Sequence, residues 1–481
     1  FLNLAIESVR AQLYTHWELC IADDASTNGE VKTALDQWAK LDRRIRVEFR
    51  PENGHISRAS NTALTMARGE FVALLDHDDK LPEYALYYVA KAIEENPDAG
   101  ILYSDEDKLD EQENRFGPYF KPDWNYELFL GQNLISHFGV YRRSLLNEIG
   151  GFRAGFEGSQ DHDLALRCIE RLQAHQIIHI PRVLYHWRVH EDSTASSIEA
   201  KPYALTAGVQ AVNEHLMRSC PGAKAELNQR FSNYRVRFPL PETLPRVAII
   251  IPSRNRLDLI RPCIEGILTK TDYRQYEILV VDNNSDDANV LQYLRSLETA
   301  NKIRVLRDER PFNYSALNNA AVAKTDAEFV LLLNNDVVVI SPDWLGEMVA
   351  VASRPGIGAV GARLWFPDDT LQHGGVLLGL EDVAAHAHLG LQKDNPGYCG
   401  RASLMQSMSA VTAACLLIRR SIYLKVGGFD EENLAVDSKS SKPATATFGR
   451  PMPSFIITSL PAGWPSCRPR KSSAFTPRLL S

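Results

Sequence analysis

Residues 17–26 read WELCIADDAS, and residues 276–285 read YEILVVDNNS. Each stretch is a short apolar run that ends in acidic or amide side chains followed by a small polar turn. Short apolar runs bounded by turn residues are typical of buried β-strands. The shared pattern indicates that one structural unit occurs twice in the chain.

Two further pairs of stretches extend this repeat in the same order. EFVALLDHD at residues 70–78 matches EFVLLLNND at 328–336, and VYRRS at 140–144 matches LIRRS at 417–421. A Gly-Gly-Phe sequence follows each stretch of the last pair at the same distance. Three matched blocks in one order predict a duplicated domain with loop insertions.

The repeat divides the chain into four parts. Residues 1–216 are expected to form a first domain and residues 246–437 a second. Residues 217–245 hold four prolines, which interrupt helices and strands, and are interpreted as a linker. Residues 438–481 change in composition and are interpreted as an aberrant, basic tail rich in Ser and Pro.

Both ends are expected to depart from the repeat. Phe1 aligns with Leu259, so the first domain is expected to lack the strand that Val247–Ser253 provides in the second. Residues 438–481 contain no Asp or Glu and show no periodicity, and the second domain is expected to be truncated there. Two interpretations stay open for this tail: a disordered segment or the product of a frameshift, which the other reading frames of the coding DNA would test.

Apolar strands alternate with amphipathic helical stretches in each copy. In the first copy the predicted strands are Glu18–Ala22, Ile45–Phe49, Phe71–Leu75 and Ile101–Tyr103, with helices such as Ala59–Ala67 and Tyr84–Asn96 between them. Such alternation predicts an α/β fold with a largely parallel sheet. Ligands of these sheets lie at the carboxyl ends of the strands.

Composition excludes several classes of protein. The 481 residues are 44% hydrophobic and 23% charged, which are globular values, and the net charge of −7 gives no basic field for nucleic acid. Seven scattered cysteines without a CxxC pair argue against a disulfide framework or a zinc site and fit a reducing compartment. No apolar stretch approaches the ~18–20 residues of a membrane span, and no signal peptide is evident. We therefore expect a cytoplasmic protein, at most peripherally attached to the inner face of the plasma membrane.

Three acidic residues directly follow the strand at Phe71–Leu75. Asp76 and Asp78 are two apart, so on a strand they would point to the same side and repel unless a cation lies between them. A divalent cation with oxygen ligands is the natural partner. A solvated acidic turn is the alternative. The second copy has Asp336 in the place of Asp78, which favours the cation site.

Three other positions are weaker candidates. Asp23 and Asp24 could accept hydrogen bonds from a nucleoside, although such residues also form ordinary turns. Asp161 precedes the helical run Leu164–Ile169 and is either an N-cap or a base that takes a proton from a hydroxyl group. His190, or Arg188 beside it, could contact a diphosphate, with a packed surface turn as the alternative.

Taken together, these motifs resemble glycosyltransferase family 2, which has the GT-A fold. The ADDAS block, the LLDHDD block as the DXD motif of the family and the GSQDHDLALR block occur in the family order. FRPENGHISRASN, YSDEDK, YFKPDWN and PFNYSALNNAAV are similar to the tandem two-domain transferases of bacterial O-antigen and polysaccharide biosynthesis. The resemblance covers about residues 1–437.

The resemblance implies roles for the acidic residues of the first domain. Asp24 would hold the base of a nucleotide sugar with help from Asp23, and Asp76 would lie near the ribose. Asp78 would coordinate a Mg²⁺ or Mn²⁺ ion that bridges the diphosphate. Asp161 would deprotonate the acceptor hydroxyl, and direct displacement at the anomeric carbon would invert its configuration.

In the second domain, the resemblance places Asp282 at the nucleotide and Asp336 at the metal. Asn283 in the place of Asp24 suggests a different nucleotide or weaker binding. The segment that would carry a base is replaced from Ser438 onward. As given, both domains are therefore expected to be impaired.

The expected partners are a nucleotide-sugar donor and a glycan or lipid-linked glycan acceptor, with no nucleic acid. Two other functions are alternatives. One is a degenerate carbohydrate-binding or scaffold protein of polysaccharide assembly. The other is a phosphatase with Asp76 as nucleophile, which Asp79 and Lys80 disfavour because a small residue usually follows that pair.

Overall fold

The computed structural model describes residues 1–189, 202–379 and 384–432, together with the strands Ala446–Thr447 and Phe455–Ser459. The elements of the N-terminal half are α1 (Leu2–Arg10), β1 (Leu19–Asp23), α2 (Gly29–Leu41), β2 (Ile45–Phe49), α3 (His55–Met66), β3 (Phe71–Ala73), α4 (Ala85–Glu95), β4 (Ile101–Leu109), β5 (Arg115–Tyr119), α5 (Tyr126–Gly131), β6 (Val140–Arg142), α6 (Arg143–Glu148), α7 (Gln160–Ile169), β7 (Ile177–Arg188), α8 (Pro202–Ser219), β8 (Lys224–Asn228) and β9 (Asn233–Arg237).

The C-terminal half begins at β10. Its elements are β10 (Val247–Ser253), α9 (Leu257–Lys270), β11 (Tyr276–Asp282), α10 (Ala288–Thr299), β12 (Arg304–Arg307), α11 (Tyr314–Val322), β13 (Phe329–Leu333), β14 (Val337–Val338), α12 (Trp344–Ala352), β15 (Ile357–Ala362), β16 (Leu364–Trp365), β17 (Leu371–His373), β18 (Val376–Leu378), β19 (Ala384–His386), β20 (Gln406–Ser407), β21 (Cys415–Arg419), α13 (Arg420–Lys425), β22 (Ala446–Thr447) and β23 (Phe455–Ser459).

The sheet of the C-terminal half starts with four parallel strands in the order β12-β11-β10-β13. β21 follows antiparallel to β13, and β15 pairs antiparallel with β21 and so runs in the same direction as the first four strands. Ile249, Ile250 and Ile251 of β10 are fully buried, because α9 and α12 pack on one face of the sheet and α11 on the other. Burial on both faces explains why this strand is a continuous apolar run.

The N-terminal half divides its strands among three sheets, one of which is the hairpin of β8 and β9. β1 pairs in parallel only with β2, whereas β3, β6, β4 and β5 form a second, antiparallel set in which β7 runs parallel to β4. The α/β class is confirmed. The expected parallel pairing is limited to part of each half, since short connections such as the turn at Asp110–Asn114 join neighbouring strands that must run antiparallel.

A cleft of 1690 Å³ opens between β1 and β3 of the N-terminal half. Leu19 and Cys20 of β1 line one side, and the chain from Phe71 through Asp78 lines the other. No pairing joins β1 to β3 in the part of the chain that the structure describes. The cleft therefore occupies the position that β10 has in the C-terminal half, where it pairs with β11 on one side and β13 on the other.

Two regions differ from the sequence expectation. The predicted linker, residues 217–245, contains the end of α8 and the hairpin β8–β9, and Ala225 and Val236 of this hairpin pack into the core of the N-terminal half. In residues 438–481, where no periodicity was expected, β22 pairs with β14 and β23 pairs with β15. The short apolar run Phe455–Ile457 accounts for the second strand, and the remaining tail residues lie outside the described residues.

The described helices include none with the length and apolar character needed to cross a bilayer. Six cysteines in the described ranges are free thiols, while Cys467 lies outside them.

Candidate active site

The acidic residues after β3 form a turn. β3 ends at Ala73, and the amide of Asp79 donates to the carbonyl of Asp76 at 3.4 Å. Asp76 and Asp78 therefore do not share one side of a strand, contrary to the expectation from sequence, because β3 ends before them. Their directions are set by the turn instead.

Asp79 anchors this turn to β7. It is 1% exposed, and its carboxylate accepts hydrogen bonds from the Tyr185 hydroxyl at 2.5 Å and from the Arg188 amide at 2.7 Å. Burial raises the pKa of Asp79 to about 7 in spite of these donors and of His137 nearby. Arg188 is also a structural anchor, since its Nε donates to the carbonyl of Asp78 at 2.9 Å.

A cluster of three potential metal ligands lies at the turn. A carboxylate oxygen of Asp76, one of Asp79 and a ring nitrogen of His137 all lie within 4.8 Å of one another. Asp78 is not part of this cluster; its carboxylate lies 3.7 Å from Nδ1 of His77, and it lines the same cleft. The structure thus brings Asp76 together with two residues that the sequence analysis did not place at the metal.

His137 carries the positive charge of the site. Its ring stacks on Tyr185 with 5.0 Å between centroids, and its Nδ1 lies 3.6 Å from Oε2 of Glu106 without a hydrogen-bond partner. Burial alone would lower the pKa of His137, but Glu106, Asp76 and Asp79 outweigh it and raise this pKa to about 9. Nothing in the local sequence marks this histidine, because the pairing of β6 with β3 and β4 brings it to the turn.

Asp161 lines the same cleft. It lies in the first turn of α7, which begins at Gln160, and the N-cap position belongs to Ser159. The N-cap alternative for Asp161 is therefore excluded. Its Oδ2 accepts a hydrogen bond from Nδ2 of Asn133 at 2.6 Å, and it lines the cleft together with Asp76 and Asp78. Burial raises the pKa of Asp161, while His137 opposes this shift.

Asp23 and Asp24 do not line this cleft. The carboxylate of Asp24 accepts from Nε of Arg50 at 2.7 Å and from the amide of Gly54 at 2.9 Å, and Asp23 accepts from the amide of Ser26 at 3.2 Å. Both side chains therefore stabilise the loop after β1. His55, which follows Gly54, does line the cleft, so this loop forms its rim.

The corresponding carboxylates of the C-terminal half are placed differently. Asp282 is 2% exposed and pairs with Arg307, its neighbour across β11 and β12. Asp336 is partly buried, and burial raises its pKa. Of the described residues, only the turn in the N-terminal half assembles three potential ligands. His190, the predicted diphosphate contact, and the segment after Glu432 that would carry a second base lie outside the described residues.

Comparison with known proteins identifies the family. The model of Glycosyl transferase family 2 matches residues 1–150 and 248–427. The chain is 52% identical over 433 residues to the uncharacterized protein y4gI of Sinorhizobium fredii, and this match covers 90% of the chain and 48% of that protein. It is 39% identical over 435 residues to the O-antigen biosynthesis protein RfbC of Myxococcus xanthus, covering 90% of the chain and 34% of RfbC. The chain thus spans about half or less of these curated relatives.

Among solved structures, the chain is similar to S. aureus TarS 1-349 in complex with UDP-GlcNAc. The TM-score is 0.35 and the identity 19%, over 45% of this chain and 68% of that one. The ordered motifs and the family match lead to the same conclusion: the chain belongs to glycosyl transferase family 2.

Proposed function

We propose that the N-terminal half transfers a sugar from a nucleotide-diphosphate donor to a hydroxyl of a growing surface polysaccharide or O-antigen, with inversion at the anomeric carbon. The observation that carries this proposal is that the Asp76 turn and Asp161 line one cleft. The O-antigen biosynthesis named for RfbC supports the polysaccharide acceptor. A lipid-linked acceptor at the inner face of the membrane would fit the same chemistry.

The residues at the turn fit a divalent cation. Asp76, Asp79 and His137 offer two carboxylates and an imidazole within 4.8 Å. His137 can act as a ligand only in its neutral form, so binding of the cation would release the proton of this residue. Oxygen ligands suit Mg²⁺, and a mixed set with one imidazole also suits Mn²⁺. Asp78, on the same cleft wall, stays our predicted ligand beside this set. When bound, the cation stabilises the charge of the leaving diphosphate.

Asp161 is the base in this proposal. Its ionised carboxylate takes the proton of the acceptor hydroxyl as that oxygen attacks the anomeric carbon. Because burial raises its pKa, the ionised form depends on the groups that stabilise negative charge there, above all His137 and the amide of Asn133. Asp161 is fixed in the rigid first turn of α7, which holds the base in position for attack.

Two observations favour a role other than catalysis for the C-terminal half. Among the described residues, only the N-terminal half assembles three potential metal ligands. Arg307 neutralises Asp282, and Asn283 uses its amide to hold the carbonyls of Asp308 and Arg310 at 3.0 and 2.8 Å. Both side chains are therefore committed to the loop. We infer that this half positions the glycan, and that the N-terminal half carries the transfer reaction. Titration of a purified oligosaccharide against the parent chain and against the Asp161→Asn chain separates binding from transfer.

A thermal-shift panel tests the donor and the metal together. We expect the unfolding midpoint to rise with Mn²⁺ plus one class of nucleotide diphosphate sugar among UDP, GDP, CDP and dTDP sugars, and to return to its starting value with EDTA. Asp76→Asn and His137→Gln should weaken Mn²⁺ binding by roughly 10–100-fold, since each removes a ligand or its close partner.

Asp36→Asn is the matched control, because Asp36 is an exposed carboxylate on α2. Asp78→Asn decides between the two ligand sets: loss of the Mn²⁺ response places Asp78 at the metal, and an unchanged response leaves the cluster with His137. If the nucleotide sugar raises the unfolding midpoint by the same amount in EDTA as in Mn²⁺, the proposed metal site is contradicted.

A further inference from the structure

A buried lysine holds the loop between α5 and β6 in place. The side chain of Lys121 is fully buried, and its Nζ donates to Oε2 of Glu106 at 2.8 Å, to the carbonyl of Ile135 at 2.8 Å and to the carbonyl of His137 at 2.7 Å. All three donors of the ammonium group are therefore used. The two carbonyls flank Ser136, so the lysine fixes the loop on both sides of that residue.

Ser136 turns the loop back toward Asn133. Its φ of 41° lies in the left-handed region, which a residue other than glycine adopts at a cost. Its hydroxyl donates to Oε2 of Glu106 at 2.8 Å, and its amide donates to Oδ1 of Asn133 at 3.0 Å. The strained turn is thus maintained by Glu106 and Lys121, and its result is a fixed orientation of the Asn133 amide.

This orientation directs the amino group of Asn133 at Asp161. Oδ1 of Asn133 is occupied by the Ser136 amide, so Nδ2 must face the other way, where it donates to Oδ2 of Asp161 at 2.6 Å. A donor to a carboxylate stabilises its ionised form and fixes its direction. The other oxygen of Asp161 has no such side-chain donor among the hydrogen bonds of the described residues.

The charged and titratable groups around Asp161 come from several elements. His137 favours its ionised form, and Asp76 opposes it. The further groups that interact with it electrostatically are Lys121, Tyr141 and Tyr234. Asn133 is the side chain among these neighbours that donates a hydrogen bond to the carboxylate, so its contribution can be removed without a change of charge.

We propose that Asn133 is a positioning residue that holds the Asp161 carboxylate in its ionised form and aims it into the cleft. Catalytic importance of this contact rests on the proposed role of Asp161 as the base. The hydrogen bond between Asn133 and Asp161 does not depend on that role. The hydrogen bond and its catalytic importance can therefore be tested separately.

The test compares four chains: the parent, Asn133→Ala, Asp161→Asn and the double variant. An acid whose pKa is raised by folding contributes stability that is present at low pH and is lost as pH rises through the folded pKa. Without Asn133 the folded pKa of Asp161 rises further. The difference in unfolding midpoint between a chain that keeps Asp161 and the same chain with Asp161→Asn should change with pH and level off above the folded pKa. In the Asn133→Ala background this plateau should therefore begin roughly one pH unit higher.

Gln132→Ala is the matched control, because Gln132 precedes Asn133 but donates to the Tyr119 hydroxyl. It should leave the pH dependence unchanged. If Asn133→Ala folds poorly, Asn133→Asp keeps an acceptor for the Ser136 amide and removes the donor to Asp161. Its transfer rate should fall near neutral pH and recover as pH rises.

The outcomes separate the two proposals. A loss of stability in Asn133→Ala that is equal at every pH, or equal with and without Asp161, overturns the positioning role. Full transfer by Asp161→Asn, together with the expected shift in pH dependence, overturns the base and leaves the hydrogen bond standing.

Discussion

Replacing Asp161 by asparagine is expected to lower sugar transfer by about 10²–10⁴-fold, the usual contribution of a general base. The amide keeps the size of the side chain but cannot accept the acceptor proton. Mn²⁺-dependent binding of nucleotide diphosphate should persist, because the cluster of Asp76, Asp79 and His137 is kept and only the charge of the neighbouring Asp161 is lost. Transfer is measured by release of the nucleoside diphosphate in the presence of acceptor glycan, and binding by titration calorimetry.

Asp163 provides a control two residues away in the same helix. It is 1% exposed and is paired with Arg153 and, at 2.9 Å, with Arg167, so it has a structural role. Asp163→Asn should lower the unfolding midpoint, because it weakens two buried ion pairs. Asp161→Asn should not lower it at neutral pH, since the raised pKa of Asp161 shows that burial disfavours its charge. An Asp161→Asn chain that transfers at the parent rate would place the base elsewhere.

Apolar patterning predicted most of the buried parallel strands. β10, β11 and β13 are continuous apolar runs because both faces of their sheet are buried. β4 was predicted as Ile101–Tyr103 but extends to Leu109, and its added part contains Ser104, Asp105 and Asp107. These polar residues are buried because β7 pairs along the whole strand. Such long-range pairing leaves no local pattern in the sequence.

The site shows the same division between local and long-range information. Asp76 and Asp161 were found because each follows a recognisable local motif, and both line the cleft. His137 was missed because its place at the turn depends on the pairing of β3 with β6, and these strands are about 70 residues apart along the chain. The Asp282–Arg307 ion pair could have been predicted from the sequence. Arg307 stands at the position that Phe49 has in the first copy of the repeat, and a basic residue at this position beside an acidic strand end indicates an ion pair.

The cleft beside β1 is explained by a comparison of matched positions. Ile278 and Leu279 of β11 are 1% and 0% exposed, whereas their counterparts Leu19 and Cys20 are only partly buried. The difference arises because β10 lies against β11, while β1 faces the cleft. Phe71 and Val72 of β3 are likewise partly buried, where the matching residues of β13 are fully buried. The part of the cleft between β1 and β3 thus has apolar walls that a further parallel strand could cover.

A graft of the chain's own strand is therefore expected to stabilise the N-terminal half. Leu259 aligns with Phe1 in the repeat, so residues 246–258 fused directly before Phe1 would bring a second copy of β10 into the register that it has against β11 and β13. Burial of its isoleucines should outweigh the entropy of ordering the strand and raise the unfolding midpoint by about 5 °C or more. Nucleotide affinity should rise as well, because the strand would connect the loop at Asp24 to the turn at Asp76.

The control is the same graft with its Ile250 replaced by proline, which removes a ladder donor and cannot be accommodated between two strands. Equal midpoints for the graft and its proline control would show that the cleft does not accept a strand, and that the exposed edge of β1 has another cause.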